Sequence, residues 1–280
     1  MQYKIERWIR GAASHLLLWF VSAVCLFPLA WMLATSFKRL DEVSTSVATF
    51  WPEELRFENY VIALQQAEFG KYFLNSVLYT SLTVVGVLLF ASMASFVFSK
   101  SVFPGSRTFF YFFIGSMMIP IPGAFIPLYV LLINLDLVNT PAGLILPYIN
   151  SGLAFAIYLF KGFFDEIPNE LLEAAELDGC SRWKVYRMIM MPLAKPILAT
   201  VSIFTAMAIW NEYLLALVIV GGQKALYPLQ VGIMKFQGVH LTDYPLLMAA
   251  LVIATIPILV IYLLLQKFMI KGVTAGAIKG

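Results

Sequence analysis

Between Glu173 and Pro192 the chain reads EAAELDGCSRWKVYRMIMMP, a polar run inside a sequence that is 61% hydrophobic. Acids come first (Glu173, Glu176, Asp178) and bases follow (Arg182, Lys184, Arg187), with Gly179 between them. No nucleophile stands beside a general base, so the chemistry these residues offer is recognition of another surface. Ala174 and Ala175 carry little bulk and let a partner approach the backbone. Leu171, Leu172 and Leu177 are apolar anchors, and Glu173, Glu176 and Asp178 place polar contacts around them.

The local signals predict a helix–turn–helix. Pro168 and Asn169 open it, and Glu170 puts an acid in the first turn, where the helix dipole favours one. Glu170–Asp178 is built from strong helix formers. Gly179 ends this arm, because a helix C-terminus favours a residue that can take positive φ. Ser181 caps a second arm, expected to run to about Met190 and to stop before Pro192. The first arm spans about 13 Å at 1.5 Å per residue. Such a knob, tied to the apolar run that follows, would act on that run as a lever; on composition alone an ordinary helical loop is the alternative.

These residues must be positioned by a membrane-embedded frame. Charged residues are 12% of the chain, against about 25% in soluble domains. Six stretches reach the roughly 20 apolar residues that a span needs: about 12–35, 76–98, 108–133, 142–160, 197–220 and 246–265. The expected fold is therefore all-α and polytopic. Lys4, Arg7 and Arg10 ahead of the first run imitate a signal peptide, but the run is too long and lacks a cleavage site, so it reads as a retained span. Thirteen Lys and Arg fall in the N-terminus, 99–107, 161–196 and 266–280, and six in 36–75, 134–141 and 221–245. By the positive-inside rule both termini are cytoplasmic. The outward stretch 36–75 is polar enough to fold outside the bilayer, with a helix from about Phe57 to Ala67, either capping the outer face or merely connecting spans.

Two places inside the spans are out of character. Glu212 stands beside Asn211 in IWNEYLLAL. A charge at mid-bilayer costs roughly 2.5–3.5 kcal/mol on insertion scales. Glu212 therefore faces a wet route, is held in a hydrogen-bond pair with a neighbour such as Asn211, or reaches the interface. Pro120, Pro122 and Pro127 interrupt MMIPIPGAFIPLYVLL. They donate no backbone hydrogen bond, and the freed carbonyls need partners in the protein or in a wet cavity. That span is expected to be kinked or broken, as a pathway lining or as a simple bend. Glu212, Asn211, Pro120 and Pro122 are the candidate pathway residues.

Other chemistries find no footing. Gly70-Lys71 is followed by Tyr72, so no G-x-x-x-x-G-K-[ST] loop cradles phosphate. His15 and His240 fall on opposite membrane sides, which leaves no metal site. Cys25 and Cys180 are too far apart for a disulfide. The basic residues follow topology instead of forming one basic face, so no nucleic-acid partner is implied. An ion-coupled secondary transporter or channel and a membrane-embedded enzyme are the alternative classes. The first lacks intramembrane charge pairs and the second a catalytic constellation.

The spacing Glu173-Ala174-Ala175, Gly179, Ile189, Met191, Pro192 resembles the EAA motif of ABC-importer permeases, with Met191 where the family has Leu. FENY (57–60), NS (75–76), IPLYVLL (126–132), GLILPY (143–148), WNEY (210–213), YPL (227–229), MAA (248–250) and QKFMIKGVTAGAIKG (266–280) look like the sugar-importer branch, most like the second permease subunit of maltose-type transporters.

The resemblance implies a type I ABC-importer transmembrane fold in a prokaryotic inner membrane. It divides the chain into 1–75, a permease core 76–265 holding the cytoplasmic segment 161–196, and a tail 266–280. It implies a second permease subunit, two ATP-binding subunits that hold ATP and Mg, and an extracytoplasmic sugar-binding protein, which the outward segment 221–245 would meet. The chain itself would carry no cofactor and catalyse nothing. Glu173, Ala174, Ala175, Leu177, Asp178, Gly179, Ile189 and Pro192 would couple to the ATPase, and the tail, with Gly272, Thr274, Gly276 and Lys279, would reach it too.

Overall fold

Lipid leaves no backbone polar group free to bond water, so apolar runs fold as helices. The computed structural model describes residues 2–45, 49–66, 68–118, 121–238 and 242–277. Its helices are α1 (Gln2–Ser36), α2 (Leu40–Thr45), α3 (Glu58–Gln66), α4 (Phe69–Lys100), α5 (Ser106–Ser116), α6 (Phe125–Asn134), α7 (Pro141–Asp165), α8 (Asn169–Leu177), α9 (Arg182–Val185), α10 (Met191–Leu193), α11 (Lys195–Trp210), α12 (Leu214–Val220), α13 (Leu229–Ile233) and α14 (Tyr244–Ala277). A π turn, Tyr186–Met190, joins α9 to α10, and a short 3-10 turn, Ile121–Ala124, precedes α6. Among the described residues the only β contact is an isolated bridge between Gln237 and Thr242.

Among the described residues four helices are long and apolar enough to cross a bilayer: Gly11–Ser36, Phe69–Lys100, Pro141–Asp165 and Tyr244–Leu264. A fifth candidate is the pair Arg182–Leu193 and Lys195–Trp210, bent by 76°. The expected runs 12–35, 76–98, 142–160 and 246–265 each lie within one helix. The run 108–133 is broken, as its prolines predict: α5 stops at Ser116 and α6 starts at Phe125. Pro127 is third in α6, where a missing N–H costs nothing. The run 197–220, expected as one span, is divided at 211–213 into α11 and α12.

The chain separates into two compact units, residues 1–69 with 233–255 and residues 70–232 with 256–280. In the first, α1 is followed by a small polar knot. Asn59 Nδ2 donates to the carbonyls of Ser36 and Lys38, 2.9 Å each, and Ser36 Oγ lies 2.6 Å from Tyr60 Oη. The helix expected over 57–67 is α3.

In the second unit, α4 and α7 touch through reciprocal glycines. A Cβ on Gly86 would lie 2.5 Å from Ile149 Cδ1, and one on Gly152 would lie 2.9 Å from Val87 Cγ2. Small residues are what lets membrane helices approach closely. One apolar core of this unit gathers Val87, Phe96, Ile157, Phe160, Phe164, Val185 and Met190; a second gathers Tyr79, Leu144, Tyr148, Leu215 and Ile219.

Candidate functional site

Helix α8 begins at Asn169 behind Pro168 and ends at Leu177. The Gly179 N–H donates to the Glu176 carbonyl (3.0 Å) and the Cys180 N–H to the Ala175 carbonyl (2.9 Å). Gly179 holds φ +77°, the left-handed conformation the turn requires. Ser181 caps α9 through its Oγ, which accepts from the Lys184 N–H (3.4 Å). The elbow therefore forms where the sequence places it.

The second arm departs from expectation. It does not stop before Pro192 but passes through the π turn into α10 and bends only at Ala194. Pro192 opens α10, where its missing N–H is not needed. The π turn supplies the wider ring, with the Met191 N–H donating to the Tyr186 carbonyl.

The elbow has two unlike faces. Inward, Ala175, Val185, Tyr186 and Met190 join Phe96, Phe160, Phe164 and Ile167 in one core. Ala175 is 6% exposed, so its small side chain seats the helix on its own protein and offers nothing to a partner; the reading of both alanines as a close-approach surface is corrected for this one. Outward stand Leu171, Glu173, Ala174, Glu176, Asp178, Gly179 and, 90% exposed, Leu177. Ile189 is half-buried against the core, and Pro192 is exposed.

Polar ties fix the elbow to the end of α4. Lys100 Nζ donates to the Ile167 carbonyl (2.6 Å) and to Asn169 Oδ1 (2.9 Å). Arg182 Nη1 donates to Ser101 Oγ (2.9 Å). Tyr186 Oη lies 2.8 Å from Ser92 Oγ, its ring stacked on Trp183. The elbow is thus tied to the bundle by two routes: along the chain to α11, and through Lys100, Ser101 and Ser92 to α4. Sequence reading missed the second route, whose only trace is a lysine closing an apolar run.

Glu212 sits in the break between α11 and α12. Its Oε2 accepts from Tyr148 Oη (2.6 Å) and the Ala216 N–H (3.2 Å), and its Oε1 accepts from the Leu215 N–H (2.7 Å). Asn211 turns the other way, its Nδ2 donating to the Met207 carbonyl (2.8 Å). One side chain caps the end of α11 and the other the start of α12. This is how a broken span satisfies its backbone in lipid. The hydrogen-bond reading of Glu212 holds with a different partner: Tyr148, not Asn211.

Beyond the break, residues 221–229 are pinned to α4. Asn75 Nδ2 donates to the Ala225 and Tyr227 carbonyls (2.9 and 3.0 Å), Tyr79 Oη to the Leu226 carbonyl (2.9 Å), and the Leu229 N–H to Ser76 Oγ (2.7 Å). Two stretches quoted for the resemblance, 75–76 and 227–229, are thus hydrogen-bonded to each other. Pro120 and Lys279 lie outside the described residues. Pro122 is in the 3-10 turn before α6, and Gly272, Thr274 and Gly276 continue the backbone of α14. The elbow and the Glu212 break share α11 but not a common site.

The family described as "Binding-protein-dependent transport system inner membrane component" matches residues 86–275. The chain is 34% identical to the diacetylchitobiose uptake system permease protein NgcG of Streptomyces coelicolor, over 96% of this chain and 89% of that one. It is 32% identical to the melibiose/raffinose/stachyose import permease protein MelC of Bacillus subtilis, over 93% and 94%. It is 34% identical to the trehalose/maltose transport system permease protein MalG of Thermococcus litoralis, over 93% and 94%. Among solved structures, a chain of a bacterial ABC transporter involved in import of the acidic polysaccharide alginate superposes with TM-score 0.82 at 25% identity, covering 93% and 96%. A chain of the inward-facing MetNI methionine ABC transporter superposes at 0.53 and 17% identity, covering 76% and 97%, and shares the fold alone.

Proposed function

The chain belongs to the family of inner membrane components of binding-protein-dependent transport systems, and from that premise we propose that it forms half of the route by which a sugar or oligosaccharide enters the cell. It is a transporter permease subunit and not an enzyme; in this family separate ATPase subunits hydrolyse ATP. That source of energy replaces the ion-coupled alternative. The other half of the route is a second permease subunit, the cargo comes from an extracytoplasmic sugar-binding protein, and two ATP-binding subunits hold ATP and Mg against the cytoplasmic side. The relatives that act on oligosaccharides favour that cargo class.

The observation that carries the coupling role is the two-faced elbow: Ala175 is buried in the chain's own core while Leu177, two residues on, is 90% exposed. A knob with a fixed root and a bare apolar tip suits the groove of another subunit. Glu173, Ala174, Leu177, Asp178 and Gly179 meet the ATPase, and Ala175, Ile189 and the bend beyond Pro192 hold the knob to α11. The tail, with Gly272, Thr274, Gly276 and Lys279, adds a second contact. Closure of the ATPase pair moves α8, which tilts α11 and α4 together. The cycle is biased because one global state binds nucleotide better than the other. Glu212 and Asn211 hold the break beside the route, and Pro120 and Pro122 are further residues of its lining.

The test uses the assembled transporter in proteoliposomes, with Leu177→Cys in a Cys25→Ser, Cys180→Ser chain. A short cross-linker is expected to join Cys at position 177 to an ATP-binding subunit and to stop uptake. An elbow that never cross-links while uptake proceeds would overturn the docking role. Uptake by the chain alone on an ion gradient would overturn the ATP-driven reading.

A further inference from the structure

At the C-terminal end of α1 the chain folds back and carries aromatic side chains outward. Phe50 stacks on Phe27 (centroids 5.9 Å apart) and meets Trp31 edge-on (5.7 Å), and Trp51 packs edge-on against Phe50 (5.3 Å). Trp51, Leu55 and Phe57 are left 75, 61 and 64% exposed. This display is held in place. Lys38, itself 2% exposed, donates from Nζ to the Thr49 carbonyl and lies over the Trp31 ring (5.5 Å). The Glu53 N–H donates to Glu42 Oε1 (3.2 Å), and the Arg56 N–H to the Phe37 carbonyl (3.0 Å).

Position along α1 decides what covers these side chains. Residues 12–30 of α1 are exposed at every position within this chain, and the helix is long and apolar enough to span a bilayer. The apolar part, Gly11–Ser36, has 26 residues, about 39 Å at 1.5 Å per residue, against a hydrocarbon core of about 30 Å. Its ends therefore emerge into the headgroups, and Trp31, about 8 Å before Ser36 along the axis, stands near that level. Phe50 and Trp51 extend the same aromatic cluster sideways. Tryptophan rings favour this depth. The pairs Arg39–Asp41 (3.0 Å) and Arg56–Glu58 (3.2 Å), with Glu53 and Glu54, keep the segment from sinking further.

We propose that residues 50–57 form an interfacial anchor, seated among lipid headgroups beside the C-terminal end of α1, where they set the depth of that span. The occupant of the exposed Trp51–Leu55–Phe57 surface is the lipid–water interface and not a soluble protein.

The experiment places a nitroxide on Leu55→Cys in the Cys25→Ser, Cys180→Ser chain and reads its collisions in the assembled transporter in liposomes. Oxygen is expected to relax the label more than a water-soluble nickel chelate does, as at a membrane surface. A label reached freely by the chelate would overturn the proposal. So would a label that becomes shielded only when the binding protein is added, since the surface would then dock protein. If Leu55→Cys fails to assemble, a chain keeping Trp51 alone, with Trp8, Trp19, Trp31, Trp183 and Trp210 replaced by Phe, reports the same thing. Lipids brominated near the headgroup should quench it more than lipids brominated at the chain end; unquenched fluorescence at a water-exposed wavelength would overturn the anchor.

Discussion

Helix α11 is broken at both ends, and the two breaks are built from different materials. At its start, the chain turns by 76° at Ala194, beyond Pro192 and the π turn, and apolar packing of Val185, Tyr186, Met190 and Ala194 holds the bend. At its end, no proline intervenes. Asn211 and Glu212 supply from their side chains the donor and the acceptors that the backbone lacks. The first break is held by packing spread over several apolar side chains. The second depends on a single carboxylate. The lever proposed for α11 would need a firm elbow at one end, whereas its far end would have only to stay hydrogen-bonded.

The largest effect is expected where one group does most. Glu212→Leu strips the acceptor from Tyr148 Oη and from the Leu215 and Ala216 N–H groups. At about 1–3 kcal/mol for each buried donor left unpaired, the loss is on the order of 3 kcal/mol or more. It would read out as a lower midpoint in thermal unfolding of the purified complex. Glu212→Gln keeps an acceptor and should lose less. Equal midpoints for all three proteins would mean that the carboxylate does not hold the break. Next comes Ala175→Trp at the elbow. Forcing bulk into a packed site costs about 1–3 kcal/mol, so this variant should assemble poorly and melt early, because Ala175 is seated in the core.

Gly179→Ala separates backbone from packing. No atom lies within 4 Å of the Cβ it would gain, so its cost is that of a left-handed alanine alone, about 1–2 kcal/mol. The elbow should fray and sugar uptake per ATP hydrolysed should fall, while membrane insertion is unchanged. Unaltered coupling would show that the turn does not need to be stiff.

What could be read beforehand follows the same division. Signals that act within a few residues were legible: the start of α8 at Asn169, the positive φ of Gly179, the Ser181 cap and the proline break before α6. So was the all-helical frame, since a low charge fraction admits little else in a bilayer. Partners distant in sequence were not. Tyr148 meets Glu212 across 64 positions, and Lys100 meets Asn169 across 69; nothing local to either residue names the other. Pro192 misled because a proline marks the end of one helix and the start of the next with equal force. Only the π turn, a matter of packing, decides between them. Ala175 misled because two adjacent alanines on a helix face about 100° apart, and which one the core claims depends on neighbours from α4 and α7.

The smallest change in stability and the sharpest test of function fall on that neighbouring position. Ala174 and Glu173 are exposed, so Ala174→Trp and Glu173→Lys should leave the melting midpoint within about 0.5 kcal/mol of the parent. Both should nevertheless weaken the coupling of ATP hydrolysis to uptake, Ala174→Trp by bulk and Glu173→Lys by reversing a charge at the rim. The pair Ala174→Trp and Ala175→Trp then carries the distinction between outer and inner face. The same side chain, moved by one position, should weaken either the coupling with the fold intact or the fold itself. If Ala174→Trp transported normally, the exposed tip would have no partner to obstruct, and the firm seat beneath it would serve packing alone.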